Sequence, residues 1–356
     1  HTPSKHAPSK HTASKYTEWS HQPIDRFVRA RLEQAGLSPS PRASKRTLIR
    51  RVTFDLTALP PTREEIRAFL ADTSDRAYED LVNRLLTSPH YGEHMARYWL
   101  DLVRFANTVG YHGDQEHAID PYRQYVVAAF NTNMPFDRFT IEQIAGDLLP
   151  NATIDQQVAS GYNRLLQTSH EGGVQQKEYL AKYAADRVRN LGDVWMGVTM
   201  GCAECHDHKF DAYTQRDFYQ LAAFFADVDD LQTFRGSNRV LTERKPEIKV
   251  LAPALRRRMA ALQGELVRLE DAANDDSAAA IRKANEELNQ RAKRTMITVA
   301  ITPRVTRLLA RGDWMDETGE IVQPNVPDCL PQSESADRRL SRLDLAEWLV
   351  SNEHPQ

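Results

Sequence analysis

The chain has 356 residues, 41% of them apolar and 27% charged, with a formal net charge of −3 at pH 7. That length allows two or three domains, and the charge balance leaves no basic field to hold nucleic acid. No apolar run approaches the roughly 20 residues that a membrane-spanning helix needs.

In chain order, residues 1–15 read HTPSKHAPSKHTASK, a five-residue repeat rich in Pro, Ser and Lys. Such a segment buries nothing, so 1–21 is expected to be a flexible linker. Metal binding by His1, His6 and His11 is the alternative. Structure is expected from Pro23, where Ile24, Phe27, Val28 and Leu32 share a helical face that ends at Gly36. Further helices are predicted over 44–54, from a Thr62/Glu65 capping box to about 70, over 78–86 and over 93–105. The last of these would bury Met95, Tyr98, Trp99, Leu102 and Phe105. A polar loop, NTVGYHGDQEHAID at 107–120, precedes predicted helices at 122–130, 141–148, 154–165, 178–196 and 218–225.

The stretch 22–230 therefore reads as an irregular multi-helix domain, and the fold class as mainly α. Leu255, Met259, Leu262, Leu266 and Leu269 then form a heptad seam. Residues 231–295 read as a connector and an antiparallel helical hairpin, with 254–293 as a surface for a partner or a second copy. A β-like alternation at 296–301 and a proline-punctuated stretch at 320–331 suggest that 296–356 opens a second, truncated domain. The chain starts at a His with no visible signal peptide and stops soon after a helical pattern at 343–350. It is expected to be a trimmed part of a longer protein.

Chemistry concentrates in GCAECHDHKFD, residues 201–211. Three cysteines are too few to staple a chain this long, and two of them are spaced as Cys202-x-x-Cys205 with His206 directly after. C-x-x-C-H is the attachment signature of c-type haem. Thiols at i and i+3 lie on one side of a helical turn, where both can reach one porphyrin edge, and the next His can ligate the iron. A zinc site that includes His208, a redox-active pair and a simple thiol pair remain the alternatives.

Trp195, Met196, Val198, Met200, Phe210, Tyr213, Phe218, Tyr219 and Phe224 could wall a macrocycle, or could simply be core. The distal side of the iron would fall to His170, in QTSHEGGV, or to His112; His117, His94 and Met95 are further candidates. His208, Lys209, Arg187 and Arg189 could offset propionate charge. The 107–120 loop gathers Asp114, Glu116, Asp120, His112 and His117, which could bind a cation or form an acid/base site. Cys329 stands alone, without an assigned role.

The motifs IDRFVRARLEQAGLSPSP, RRVTFDLTALPPTREEI, SPHYGEHMARYWLDLVRFA, PYRQYVVAAFN, MPFDRFTIEQIAGDLLPNAT and MGCAECHDHKFDAYTQRDFYQLAAFFADV occur in this order. Together they resemble the planctomycete-type secreted cytochrome c domain family, over about residues 22–228. RGDWMDETGEIVQPNVPDCLP followed by RLDLAEWLVSNEHP resembles the start of that family's usual C-terminal partner domain. The resemblance implies covalent haem c on Cys202, Cys205 and His206, a fold built around it, and export to the periplasm, cell envelope or exterior. It supplies neither a substrate nor a redox partner. Three readings are compatible with it: a mono-haem electron-transfer module, a haem-dependent oxidoreductase acting on peroxide or a carbohydrate-type substrate, and an interaction protein with structural haem.

Overall fold

The computed structural model describes residues 22–111, 113–169, 173–234, 244–271, 275–332 and 337–354. The expected linker at 1–21 lies outside them. Among the described residues there are thirteen α-helices and four short strands, so the fold is mainly α. None of the helices is long and apolar enough to cross a membrane.

Helix α1 (Pro23–Gln34) forms where its periodicity predicts, but Ile24, Phe27 and Val28 stay exposed. Helices α2 (Lys45–Thr57), α3 (Arg63–Ala71) and α4 (Ala77–Leu86) build a small core of their own from Ile49, Val52, Phe69, Leu81 and Leu85. The predicted capping box opens α3: Thr62 Oγ1 accepts from the Glu65 amide, and the Glu65 carboxylate accepts from the Thr62 amide.

The main core runs through α5 (Pro89–Leu102), α6 (Asp120–Asn131), α7 (Phe136–Ala145), α8 (Ile154–Ala159), α9 (Gln176–Leu191) and α10 (Gln215–Phe224). The buried face of α5 differs from the predicted one. Tyr98 and Leu102 are 57% and 52% exposed, while Gly92, Ala96, Trp99 and Leu100 face inward, with Val103 just after the helix. The small residues decide this. A Cβ at Gly92 would lie 2.5 Å from the Val127 carbonyl, so α6 approaches α5 where the side chains are smallest, not where the rings are.

Strand β1 (Glu247–Val250) pairs antiparallel with β2 (Lys293–Met296), bringing together the two ends of a hairpin of α11 (Pro253–Asp271) and α12 (Asp275–Gln290). The heptad seam of α11 is half-buried at each of its five positions. Beyond it, β3 (Thr306–Arg307) pairs with β4 (Ile321–Val322), and α13 (Arg342–Leu349) comes last.

In the stretch expected to open a second domain, Val322, Val326, Leu345, Ala346 and Trp348 belong to the main core cluster. Arg342, fully buried, fastens α13 to that body. Its guanidinium donates to Asp147 at 2.8 Å twice, to Asp227 at 2.8 and 3.0 Å, and to the Ile144 carbonyl at 2.8 Å.

Candidate functional site

The site grows out of the end of α9. After Leu191 the chain makes a π-helical turn (Gly192–Met196) and reverses at Gly197, whose φ of 59° lies in the left-handed region. The Val198 amide then returns to the Gly192 carbonyl at 3.0 Å. A side chain at 192 would collide with Met200 Cγ at 2.7 Å, so this glycine lets the chain fold back upon itself. Met200 is fully buried and pins the start of the next turn.

A single 3₁₀ turn (Gly201–Glu204) carries the motif. The Cys202 carbonyl accepts the amides of both Cys205 and His206 at 3.3 Å. Ala203 is the inward anchor; Cys202, Cys205 and His206 are exposed, and both thiols are free. Behind the turn, the Glu204 carbonyl accepts from Tyr219 Oη and Gln215 Nε2, each at 3.0 Å, and the Glu204 carboxylate pairs with Arg189. The Asp207 carboxylate accepts the Gln215 amide at 2.8 Å, tying the loop to the start of α10.

The two histidines of the loop differ in chemistry. His206 Nδ1 lies 2.8 Å from the Asp207 carbonyl oxygen. A carbonyl only accepts, so Nδ1 carries a proton; in the neutral ring Nε2 is then the nitrogen that keeps a lone pair. This is the second-sphere arrangement that metal-ligating histidines use. His208 is the reverse. Its Nδ1 accepts the Asp211 and Phe210 amides at 2.9 and 3.3 Å, so it is spent on capping the loop. With Nδ1 acting as an acceptor, the Asp211 carboxylate 3.3 Å away is a neighbour and not an ion-pair partner.

The expected shell is only partly assembled. Tyr213, Phe218 and Tyr219 are buried beside the motif, but Phe210 is 84% exposed. Trp195 points into the core, packing on Trp99 and Tyr162 and donating to Thr140 Oγ1 at 3.0 Å. Arg187 is unavailable to a cofactor. It holds Asp230 at 2.7 and 2.8 Å inside the core. Burial alone would raise the Asp230 carboxyl; Arg187, with Arg164 and Arg304, holds it below its ordinary value. Arg189 is brought to the motif, through Glu204.

His112 and His170, the proposed distal residues, lie outside the described residues. His94 is buried on α5, its Nδ1 3.1 Å from Arg97 Nη2. In the 107–120 loop, Asp114 and His117 turn on nearby backbone. Asp114 accepts the Gly110 amide at 2.8 Å, and His117 Nε2 donates to the Ala106 carbonyl at 2.8 Å. Among the described residues, no three His, Cys, Asp or Glu side chains converge as a bare metal ion requires.

One partner of the motif had no sequence signal. Gly312, with φ 73°, sits over Cys205: a methyl group at 312 would come within 3.3 Å of its Sγ. The segment that carries it, 304–317, packs across α9 and α10. Gln215 Nε2 holds the Leu309 carbonyl at 3.0 Å, and Lys177 pairs with Glu317 at 2.7 Å. Between this strap and the two helices lies a cleft of about 530 Å³, lined by Leu180, Phe218, Tyr219 and Trp314 and bounded by Glu204 and Gly312.

Residues 23–230, more than half of the chain, match the family model PSCyt2, described as a protein of unknown function (DUF1549). The chain belongs to this family. The matched PSCyt2 region contains the whole motif and all of α1–α10, and it ends before the strap. No curated protein and no solved structure matches the chain.

Proposed function

We propose that the chain is a mono-haem c-type cytochrome module that passes single electrons in the cell envelope. The observation that carries this reading is the state of His206. Its proton is held on Nδ1 by the Asp207 carbonyl, and its free Nε2 stands on the same exposed turn as two unpaired thiols. This donor set fits a covalent haem. Cys202 and Cys205 would anchor it, each thiol adding across a vinyl group so that a C–S bond forms and the S–H hydrogen passes to the neighbouring carbon. His206 Nε2 would be the proximal ligand. The bound haem would supply a reversible one-electron change at iron. The chain's part is to keep the turn rigid through Ala203, Tyr219 and Gln215, and to place the Arg189–Glu204 pair beside it. Attachment of this kind also implies export, to the periplasm, the envelope or the exterior.

The test is a pyridine haemochrome spectrum on protein from a host able to mature cytochromes c. Haem that resists acid-acetone extraction in the wild type, and is absent from the Cys202→Ser/Cys205→Ser variant, is expected. A colourless wild type from that host overturns the reading.

A second reading, a haem-dependent oxidoreductase acting on peroxide or a carbohydrate-type substrate, is favoured by the cleft that borders Glu204 and Gly312. A high-spin iron that binds cyanide would select it over the electron carrier.

A further inference from the structure

The base of the α11–α12 hairpin does not close flush against the helical body. Between it and α6, α7 and α8 lies a cleft of about 540 Å³, a size typical of small-molecule sites. It shares no lining residue with the cleft beside the motif. Its wall is largely apolar, with Tyr125, Val158, Val250 and Leu251 among its buried contributors. Its carboxylates are all engaged. Glu142, almost fully buried, accepts from Tyr125 Oη at 2.8 Å, from Arg138 Nε at 2.7 Å and from Gln156 Nε2 at 3.3 Å. Asp155 pairs with Arg256 Nη2, and Asp120 holds Lys293 Nζ at 2.7 Å.

Two guanidinium groups keep unspent capacity. Arg256 Nε is buried without a hydrogen-bond partner among the described residues. Arg291, on the rim, makes no ion pair among them. An orphaned buried donor is costly, and more so when it is charged, so the cleft gains by admitting an acceptor. A cation would find each carboxylate of the cleft already paired and would be repelled by the guanidinium groups, and a neutral chain would leave the donor unpaired. A carboxylate can accept from guanidinium N–H groups in charge-assisted bonds while its tail covers the apolar wall.

We propose that this cleft binds an amphipathic monocarboxylate, with its head on Arg256 and Arg291 and its aliphatic tail along Val158, Val250 and Leu251. The site is independent of haem.

Isothermal titration of the full chain with dodecanoate, below its micellar concentration, tests it. Saturable one-site binding is expected in the wild type. Arg256→Gln/Arg291→Gln should weaken it at least tenfold. Ala128→Trp, at an exposed helix position that lines the cleft, should abolish it by filling the space. Far-UV circular dichroism confirms that each variant keeps its helices. No saturable binding in the wild type, or wild-type affinity in either folded variant, overturns the proposal.

Discussion

His206 and His208 stand two residues apart and face opposite tasks, a difference set by which ring nitrogen each spends on the backbone. On the proposed haem reading, His206→Ala should leave the thioether-bound haem in place but remove its proximal ligand, shifting the absorption spectrum to a high-spin form. His208→Ala should keep the haem and its spectrum. It removes the acceptor of two loop amides, so it should lower stability by about 1–2 kcal/mol in urea unfolding. His117 adds a pH dependence. Burial is the main cause that lowers its pKa in the folded chain, so the folded state takes up its proton less readily than the unfolded one. The stability this confers is fully present above the unfolded value, near 6.5, and is lost as pH falls from there through the lower folded value. His117→Gln should therefore flatten the fall of urea stability just below pH 6.5. At this scale the motif could be read from spacing alone. The tautomer of His206 could not, because it depends on where the next residue's carbonyl points.

Among the elements, helices with strong local signals stood out in the sequence. The Thr62 capping box and the seam of α11 lie where the pattern puts them. The inward face of α5 was not legible, because close approach of α6 at Gly92 outweighs the ring-rich stripe. Strand β1 was missed for a similar reason: four residues pair only because the hairpin brings β2 alongside. Gly264 lies inside α11 with open space around it, so Gly264→Ala should stabilise the chain by about 0.5–1 kcal/mol, seen as a raised thermal midpoint. Arg342→Met strips the partner from two buried carboxylates, Asp147 and Asp227, and should cost about 3–5 kcal/mol in urea unfolding.

At the scale of the molecule, the family-matched part and the rest of the chain share one interior. The Met296 amide donates to the Ala118 carbonyl at 2.7 Å, Asn163 reaches Thr298 at 3.3 Å, and Arg304 holds the Val228 carbonyl at 2.7 Å. A chain cut after residue 230 would bare the core residues that Met296, Val322 and Leu345 cover. It should be insoluble, or show weak and non-cooperative melting by circular dichroism, whereas the full chain melts cooperatively. The sequence suggested a boundary near 296 from a β-like alternation and a proline-punctuated stretch; both record local chain character and are blind to the core a segment enters.

The strap over Cys205 gives the order of synthesis a meaning. Cys202 and Cys205 leave the ribosome about a hundred residues before Gly312, the residue that comes to lie against the Cys205 sulfur. During that interval the growing chain offers both sulfurs without a cover, and once the strap docks, only Cys202 stays as open as before. A thiol-directed enzyme or reagent would thus find its best target in a nascent chain, and Cys205 would be the slower of the two thiols to label in the finished one.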